Sequence, residues 1–124
     1  MHVKVLKEGY TPLLISLSNF PVAVGASRVP LHWRERRLLI HLATCKNTMV
    51  TKEMLLLSLF GNIYNGDFSE LSRLRTLVDR TRKKLAGLSG GEEYIEMVHP
   101  LGYMLRDSLP PEVVATPIPL PLAA

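Results

Sequence analysis

The chain has 124 residues, 47% of them hydrophobic, a formal net charge of +4 and an isoelectric point near 9.5. This length and hydrophobicity suit one domain with a real core, and the 21% charged content excludes a wholly disordered protein. The single cysteine, Cys45, excludes an internal disulfide framework and is typical of a reducing compartment. We therefore expect one cytoplasmic domain with an acidic partner, such as a nucleic acid.

The first 30 residues are predicted to form a small antiparallel sheet. Apolar stretches at 3–6, 13–17 and 20–24 are separated by glycine, proline and asparagine, which is typical of short strands joined by turns. Two lysines before the second stretch and small residues after it also outline a signal peptide, but an acid lies in the basic region and Asn19 and Pro21 interrupt the apolar run. We favour strands, and we expect no membrane segment because no run approaches the roughly 20 apolar residues that a span requires.

Two helices are predicted to follow. The first covers 32–45, with arginines outside and a core face formed by Trp33, Leu38, Leu39 and Leu42. The second covers 52–60, where Thr51 is a suitable N-cap and Gly61 a suitable residue to end the helix. Large apolar side chains predict that most of this second helix is buried, among them Met54, Leu55, Leu57, Leu59 and Phe60.

The third predicted helix, residues 67–86, carries most of the charge of the chain. Asp67 and Glu70 fit a capping box at its start. The segment 72–85 holds six basic residues against one acid, Asp79, and so carries +5, whereas the whole chain carries +4. Because a merely solvated helix tends to alternate acids and bases, charge of one sign indicates a phosphate-backbone partner.

Helical periodicity divides this third helix into two faces. The core face repeats at three- and four-residue steps and consists of Leu71, Leu74, Val78, Thr81 and Leu85. The opposite face consists of Arg73, Thr76, Arg80 and Lys83, flanked by Ser72, Asp79 and Lys84. Arg75 and Arg82 lie nearer the boundary, where their stems can pack while the guanidinium groups reach outward.

A hairpin and a tail complete the chain. Strands are predicted at 94–98 and 102–105, joined by His99, Pro100 and Leu101. Glu92 and Glu93, just before the hairpin, suit an exposed turn rather than a catalytic pair. Residues 108–124 contain five of the nine prolines, which excludes a helix or a central strand and predicts an extended or disordered tail.

A small sheet, three helices and a terminal hairpin, in this order, predict a winged helix-turn-helix of the α+β class. We expect the domain over 1–107, with the sheet in 1–30, the three-helix core in 32–88 and the wing hairpin in 92–107. No Gly-rich phosphate loop, nucleophile elbow or zinc-protease motif is present, so we expect no enzyme, no catalytic residue and no cofactor. His41 and Cys45, four residues apart, are too few ligands for a zinc site, and we expect no metal.

Four motifs, in order and correctly spaced, resemble the DNA-binding domain of OmpR/PhoB-type response regulators. They are LHWRE (31–35) with two following leucines, VTKEML (50–55), RKKL (82–85), and a hairpin with YIE (94–96) and GYMLRD (102–107). The resemblance implies sequence-specific binding of double-stranded DNA and transcriptional control in the bacterial cytoplasm, at the nucleoid. It also implies a third helix in the major groove, head-to-tail dimers on DNA, and RNA polymerase or a related regulator as a further partner.

The resemblance assigns DNA contacts on the third helix to Ser72, Thr76, Asp79, Arg80, Arg82 and Lys83, and Arg73 shares their exposed face. Arg80 is the best candidate for base readout, because arginine can bond guanine bidentately. Residues suited to phosphate contacts are Arg82, Lys83 and Lys84 on this helix, and Thr51 and Lys52 at the N-terminus of the second.

Three departures from the family pattern affect what we expect. First, the chain has no receiver domain, so we do not expect aspartyl phosphorylation to switch it. Second, the family usually presents Thr-Val-Arg-Gly-x-Gly-Tyr in the wing, whereas this wing has His99 and Leu101 and should attract the minor groove less. Third, Asp79 should repel phosphate, although it can accept a hydrogen bond from a cytosine amino group.

These departures leave a second function open. The domain would then bind a protein rather than DNA, as an anti-regulator, a heterodimer partner or an adaptor of RNA polymerase. The basic stripe of the third helix favours DNA over this alternative.

Overall fold

The structure of the chain, a computed structural model, describes residues 9, 11–17, 22–25, 27–45, 48–61, 68–106 and 111–114. The elements in order are β1 (Leu13–Ser16), β2 (Val22–Val24), β3 (Ser27–Arg28), α1 (Trp33–Thr44), β4 (Val50–Thr51), α2 (Lys52–Phe60), α3 (Phe68–Ser89), β5 (Ile95–Val98), β6 (Gly102–Leu105) and β7 (Glu112–Val114). The predicted strand at 3–6, the loop at 62–66 and the Asp67 half of the predicted capping box lie outside the described residues.

The first sheet has the strand order β3-β2-β1-β7. The strands β1, β2 and β3 pair antiparallel, as expected of the sheet. The strand β1 ends one residue before its predicted bound and β2 begins two residues after its own, whereas β3 was not among the predicted strands. The strand β7 pairs parallel to β1, with Ile15 opposite Val113. The tail is extended at 112–114, as one of the two predicted alternatives has it, but there it is an edge strand of the sheet and not disordered. An edge position agrees with the exclusion of a helix or a central strand from this proline-rich segment.

The helix α1 begins with a capping box. The Nδ1 atom of His32 accepts a hydrogen bond from the Arg34 amide at 3.3 Å, and Oε1 of Glu35 accepts one from the His32 amide at 2.7 Å. The predicted core face is correct for three leucines but wrong for Trp33, which is 44% exposed. Glu35 is buried instead, at 2% exposure, because it serves both the cap and an ion pair described below.

The helix α2 has the predicted ends but not the predicted burial. Oγ1 of Thr51 accepts a hydrogen bond from the Met54 amide at 3.2 Å, and Gly61 ends the helix with φ of 71°. Met54 and Leu57, expected in the core, are 54% and 55% exposed. The buried side chains are Leu55, Leu56 and Leu59. Since leucine or methionine occurs on every side of this short helix, the sequence does not indicate which side faces inward.

The helix α3 has the predicted buried stripe of Leu74, Val78, Thr81 and Leu85. It extends to Ser89, beyond the predicted end at residue 86. Gly87 is part of the helix, and the chain turns at Gly90, whose φ is 75°. A single glycine inside a helix lowers its stability only modestly, so taking Gly87 as the end of α3 was wrong.

The second sheet has the strand order β4-β6-β5 and places the terminal hairpin beside the start of α2. We call β5, β6 and the connecting residues 99–101 the wing. A Cβ atom on Gly102 would lie 2.0 Å from the carbonyl oxygen of Val50, so only glycine fits where β6 meets β4. The buried Tyr94 donates its hydroxyl to the carbonyl of Thr11 at 2.5 Å and thereby joins this end of the wing to the first sheet.

Candidate nucleic-acid interface

The exposed side of α3 carries a group of polar and basic residues that we call the reading face. All five of its members are exposed: Ser72, Arg73, Thr76, Arg80 and Lys83. The Thr76 hydroxyl donates to the Ser72 carbonyl at 3.0 Å, so its oxygen remains available as an acceptor. The reading face exists because the buried stripe of α3 lies on the opposite side and packs against α1 and α2.

Lys84 makes an ion pair inside the protein. Its Nζ atom lies 2.7 Å from Oε1 of Glu35, whose side chain is 2% exposed, while the Lys84 side chain is 41% exposed. The carboxylate therefore has two partners, the Lys84 ammonium group and the amide of His32. A buried carboxylate without such partners would be costly, so Lys84 compensates the charge of Glu35 and fastens α3 to α1.

Arg82 is also engaged by acids of the chain. Its guanidinium lies 3.6 Å from the carboxylate of Glu93 and 4.0 Å from that of Asp79. Glu93 in turn lies 3.6 Å from Arg106, which also donates to the Glu93 carbonyl at 2.9 Å. This chain of charges joins the middle of α3 to the base of the wing. It also places a cation beside Asp79, which weakens the repulsion of phosphate expected from that residue.

Arg75 was not among the site residues selected from the sequence. It lies on the side of α3 that faces the wing, where it lines the same cleft as Tyr103 of β6 and its guanidinium acts on the phenol. Burial raises the pKa of the Tyr103 phenol, and the neighbouring Arg75 guanidinium acts in the opposite direction. Helical spacing placed Arg75 at the boundary between the two faces, but its partner is 28 positions along the chain and only the fold brings the two together.

A cleft of about 180 Å³ separates α3 from the wing. Basic side chains from three elements line it: Lys52 at the start of α2, Arg75 on α3 and His99 in the wing. The amide of Lys52 donates to the Leu101 carbonyl at 3.1 Å, and Thr51 caps the helix through the amide of Met54. Two of the first amides of α2 are thus used within the protein, which reduces what Thr51 and Lys52 can offer a phosphate through the backbone.

The wing tip is exposed, with His99 and Leu101 at the surface and a cis peptide bond between His99 and Pro100. Leu101 is 54% exposed. The wing thus presents an imidazole and an apolar side chain at its tip.

Neither a metal site nor a membrane span is found in the part of the chain that the structure describes. No group of three or more His, Cys, Asp or Glu residues there could hold a metal ion. His41 and Cys45 are both partly buried, and Cys45 ends α1. None of the described helices is both long and apolar enough to cross a bilayer.

The chain forms three helices followed by a β-hairpin, and the third helix has an exposed basic face. This arrangement defines a winged-helix domain of the α+β class. Residues 26–105 match the family model described as "Transcriptional regulatory protein, C terminal". The chain belongs to this family, the OmpR/PhoB-type DNA-binding domains of response regulators. The fold class and the family expected from the four motifs are both confirmed.

Relatives of known function and structure agree with this assignment. The chain is 38% identical over 95 residues to the cell cycle response regulator CtrA of Brucella ovis, and the match covers 77% of this chain and 40% of that protein. The chain therefore spans about 40% of the length of the curated relatives that it matches. The RstA DNA-binding domain of Klebsiella pneumoniae, solved in complex with the RstA box, superposes with a TM-score of 0.67 at 26% identity and covers 80% of this chain and 95% of that one.

A second structure of the C-terminal DNA-binding domain of Klebsiella pneumoniae RstA gives a TM-score of 0.62 at 28% identity, covering 85% of this chain and 91% of that one. Both RstA structures are of a DNA-binding domain.

Proposed function

We propose that this domain binds double-stranded DNA in a sequence-specific manner and regulates transcription, with α3 in the major groove. The observation that carries the proposal is the reading face, which is exposed along its length and bears three basic residues. An α-helix with such a face fits the major groove in both width and charge. The RstA domain, which shares this fold, was solved on its DNA box, and this supports the same partner for the present chain.

The contacts within the protein divide the basic residues of α3 into two groups. Arg82 and Lys84 have acidic partners in the fold, at 3.6 Å and 2.7 Å respectively. Among the described residues, no ion pair involves Arg80 or Lys83, and both are exposed. We assign base readout to Arg80, because it lies on the reading face with Thr76, and phosphate contact to Lys83.

Phosphate contact on the other side of α3 is assigned to the cleft beside the wing. Lys52, Arg75 and His99 line it from three elements. Arg75 thus joins the proposed DNA contacts in place of Lys84. The wing tip itself contributes little to DNA binding. A histidine and a leucine attract the minor groove less than an arginine does. Head-to-tail pairs of the domain on direct repeats complete the proposal.

A salt-dependent titration tests the proposal. Fluorescence anisotropy of a labelled duplex carrying the RstA box, and of a scrambled duplex, is measured between about 50 and 200 mM salt. We expect binding to both at low salt, with a slope of log affinity against log salt that indicates several phosphate contacts. The charge-reversal variant Arg80→Glu should abolish binding, and Leu57→Ala, on the exposed side of α2, should leave it unchanged. Salt-independent binding, or no loss in the Arg80 variant, would contradict the proposal.

A further inference from the structure

We infer that a groove on the α1 side of the reading face binds an acidic protein segment with an apolar anchor residue. The groove has a volume of about 610 Å³ and lies between the start of α1, the end of α2 and the outer side of α3. We call it the aromatic–arginine groove. Neither the family match nor the proposed DNA binding assigns a protein ligand to it.

The walls of this groove are built from stacked arginines and phenylalanines. Two guanidinium groups lie over the Phe60 ring, that of Arg34 at 4.9 Å and that of Arg73 at 4.6 Å from its centroid. Arg34 also donates to the Leu59 carbonyl at 3.1 Å, which fixes its orientation. Phe68, at the rim, is 81% exposed. The groove therefore offers a ligand both aromatic surface, from Phe60 and Phe68, and positive charge, from Arg34 and Arg73.

The charge that the groove presents to a ligand is positive. Among the described residues that line it, the one acid is Glu35, which is 2% exposed and is neutralised by Lys84. Arg34, Arg73 and Arg80 line the groove without an acidic partner in any ion pair among the described residues. A carboxylate-bearing ligand is thus complementary to this surface.

The exposed aromatic rings favour a protein over the DNA backbone as the occupant. Beside the groove, Trp33 is 44% exposed and stacks with Arg34 at 4.8 Å. A phosphodiester would satisfy the arginines but leave the rings of Trp33 and Phe68 in water. Interfaces between proteins are enriched in aromatic residues and arginine. An apolar side chain of a protein ligand, packed against Phe60 and Phe68, would remove these two rings from water.

Occupancy of the groove would interfere with DNA reading. Four of the five members of the reading face also line the groove, namely Ser72, Arg73, Thr76 and Arg80. An acidic segment bound in the groove would pair with the Arg80 guanidinium, which would then be unable to contact a base. Its negative charge would also repel the DNA phosphates at the surface that faces the major groove. This consequence rests on the proposed DNA binding, whereas binding of the segment itself does not.

The test is a selection of displayed random 12-residue peptides on the purified chain, followed by affinity measurement of the enriched peptides by fluorescence anisotropy without DNA. We expect enriched peptides to combine aspartate or glutamate with an aromatic or leucine residue. Phe68→Ala and Arg73→Ala should each weaken binding by about tenfold or more. Two matched controls should bind as the parent chain does: Lys83→Ala, a basic residue outside the groove, and Leu57→Ala, an exposed apolar residue on another surface.

Three results would overturn the inference. They are a selection without enriched binders, enriched peptides without an acidic bias, and equal losses in Lys83→Ala and the two groove variants. If instead the groove variants flatten the salt dependence of DNA binding and no peptide is enriched, the groove is part of the DNA-backbone surface. Competition between an enriched peptide and duplex DNA is measured in a separate experiment. A chain that does not bind DNA can therefore be distinguished from one whose groove does not bind the peptide.

Discussion

At the scale of single residues, the basic side chains of α3 have different tasks although they look alike in the sequence. The ammonium group of Lys84 lies 2.7 Å from a buried carboxylate, whereas Lys83, its neighbour, is exposed. A shift of one position along a helix rotates a side chain by about 100°. One lysine therefore stabilises the fold, and the other is free to contact DNA.

Arg80 and Lys83 should differ in how their loss affects DNA binding. We predict that Arg80→Ala lowers affinity for a specific site by about 1–3 kcal/mol and relaxes the sequence preference. Lys83→Ala should weaken binding to all sequences alike and lower the salt slope by about 1. Titrations of both variants against a specific and a scrambled duplex check this. Equal losses with an unchanged preference would refute the division of roles.

Lys84→Ala should destabilise the fold, because it leaves the Glu35 carboxylate buried without its cation. We expect a loss of about 2–3 kcal/mol in the free energy of unfolding, toward the low end for a broken buried pair because Lys84 is partly exposed. Urea denaturation followed by circular dichroism measures it, with Lys83→Ala as the control, expected within about 0.5 kcal/mol of the parent. Identical unfolding curves for the two variants would remove the structural role assigned to Lys84.

At the scale of elements, the buried stripe of α3 could be predicted from the sequence, whereas the orientation of α2 could not. In α3 the apolar residues recur at one period and leave only one side for the core. In α2 they lie on every side, and the packing of Leu55, Leu56 and Leu59 on neighbouring elements decides the matter. Trp33 was placed on the core face of α1 with three leucines, but it is exposed, whereas Glu35, which completes the capping box and pairs with Lys84, is buried.

The wing is the element in which the chain differs most from the family pattern. Replacing His99 by arginine should strengthen DNA binding, because it restores a permanent cation at the wing tip. We expect a salt slope larger by about 1, which corresponds to one added phosphate contact. Leu101→Ala, at the same tip, serves as the control and should change affinity little. An unchanged slope in His99→Arg would mean that the wing tip does not reach the DNA.

The close contact between β6 and β4 holds the wing against the start of α2. Gly102→Ala would place a methyl group 2.0 Å from the Val50 carbonyl oxygen, so the two strands must separate. We expect a destabilisation of about 1–3 kcal/mol, as for overpacked sites, measured by thermal unfolding. Gly87→Ala is the matched control, since nothing lies within 4 Å of a Cβ there. It should be neutral or slightly stabilising, and a similar loss in both variants would contradict the steric argument.

At the scale of the whole molecule, two sheets enclose a three-helix core, and the end of the chain completes the first sheet. The fold class and the family could be predicted because the order of elements and four spaced motifs are local features. The pairing of β7 with β1 could not, since it joins residues about 100 positions apart, and the proline content excluded only a helix or a central strand without indicating an edge strand. The ion pair of Lys84 with Glu35 escaped prediction for the same reason, since the two residues are 49 positions apart.

The strand β7 should contribute to stability but not to DNA binding. Val113 packs partly buried against the core cluster, on the edge of the first sheet. We expect Val113→Asp to lower the free energy of unfolding by about 1–2 kcal/mol, because it places a charge against apolar neighbours. The exposed Glu112→Gln is the control. Chemical denaturation and DNA titration of the same variants check the prediction, and a loss of DNA affinity in the folded Val113 variant would contradict it.

The most direct test of the central proposal is a selection of bound sequences from a random duplex pool, sequenced for the parent chain and for Arg80→Ala, at low and near-physiological salt. We predict an enriched motif for the parent chain, present as direct repeats about 10 base pairs apart. In Arg80→Ala the motif should lose its preference at one or a few positions. Salt-sensitive binding without any motif, or the same motif in both proteins, would contradict base readout by α3.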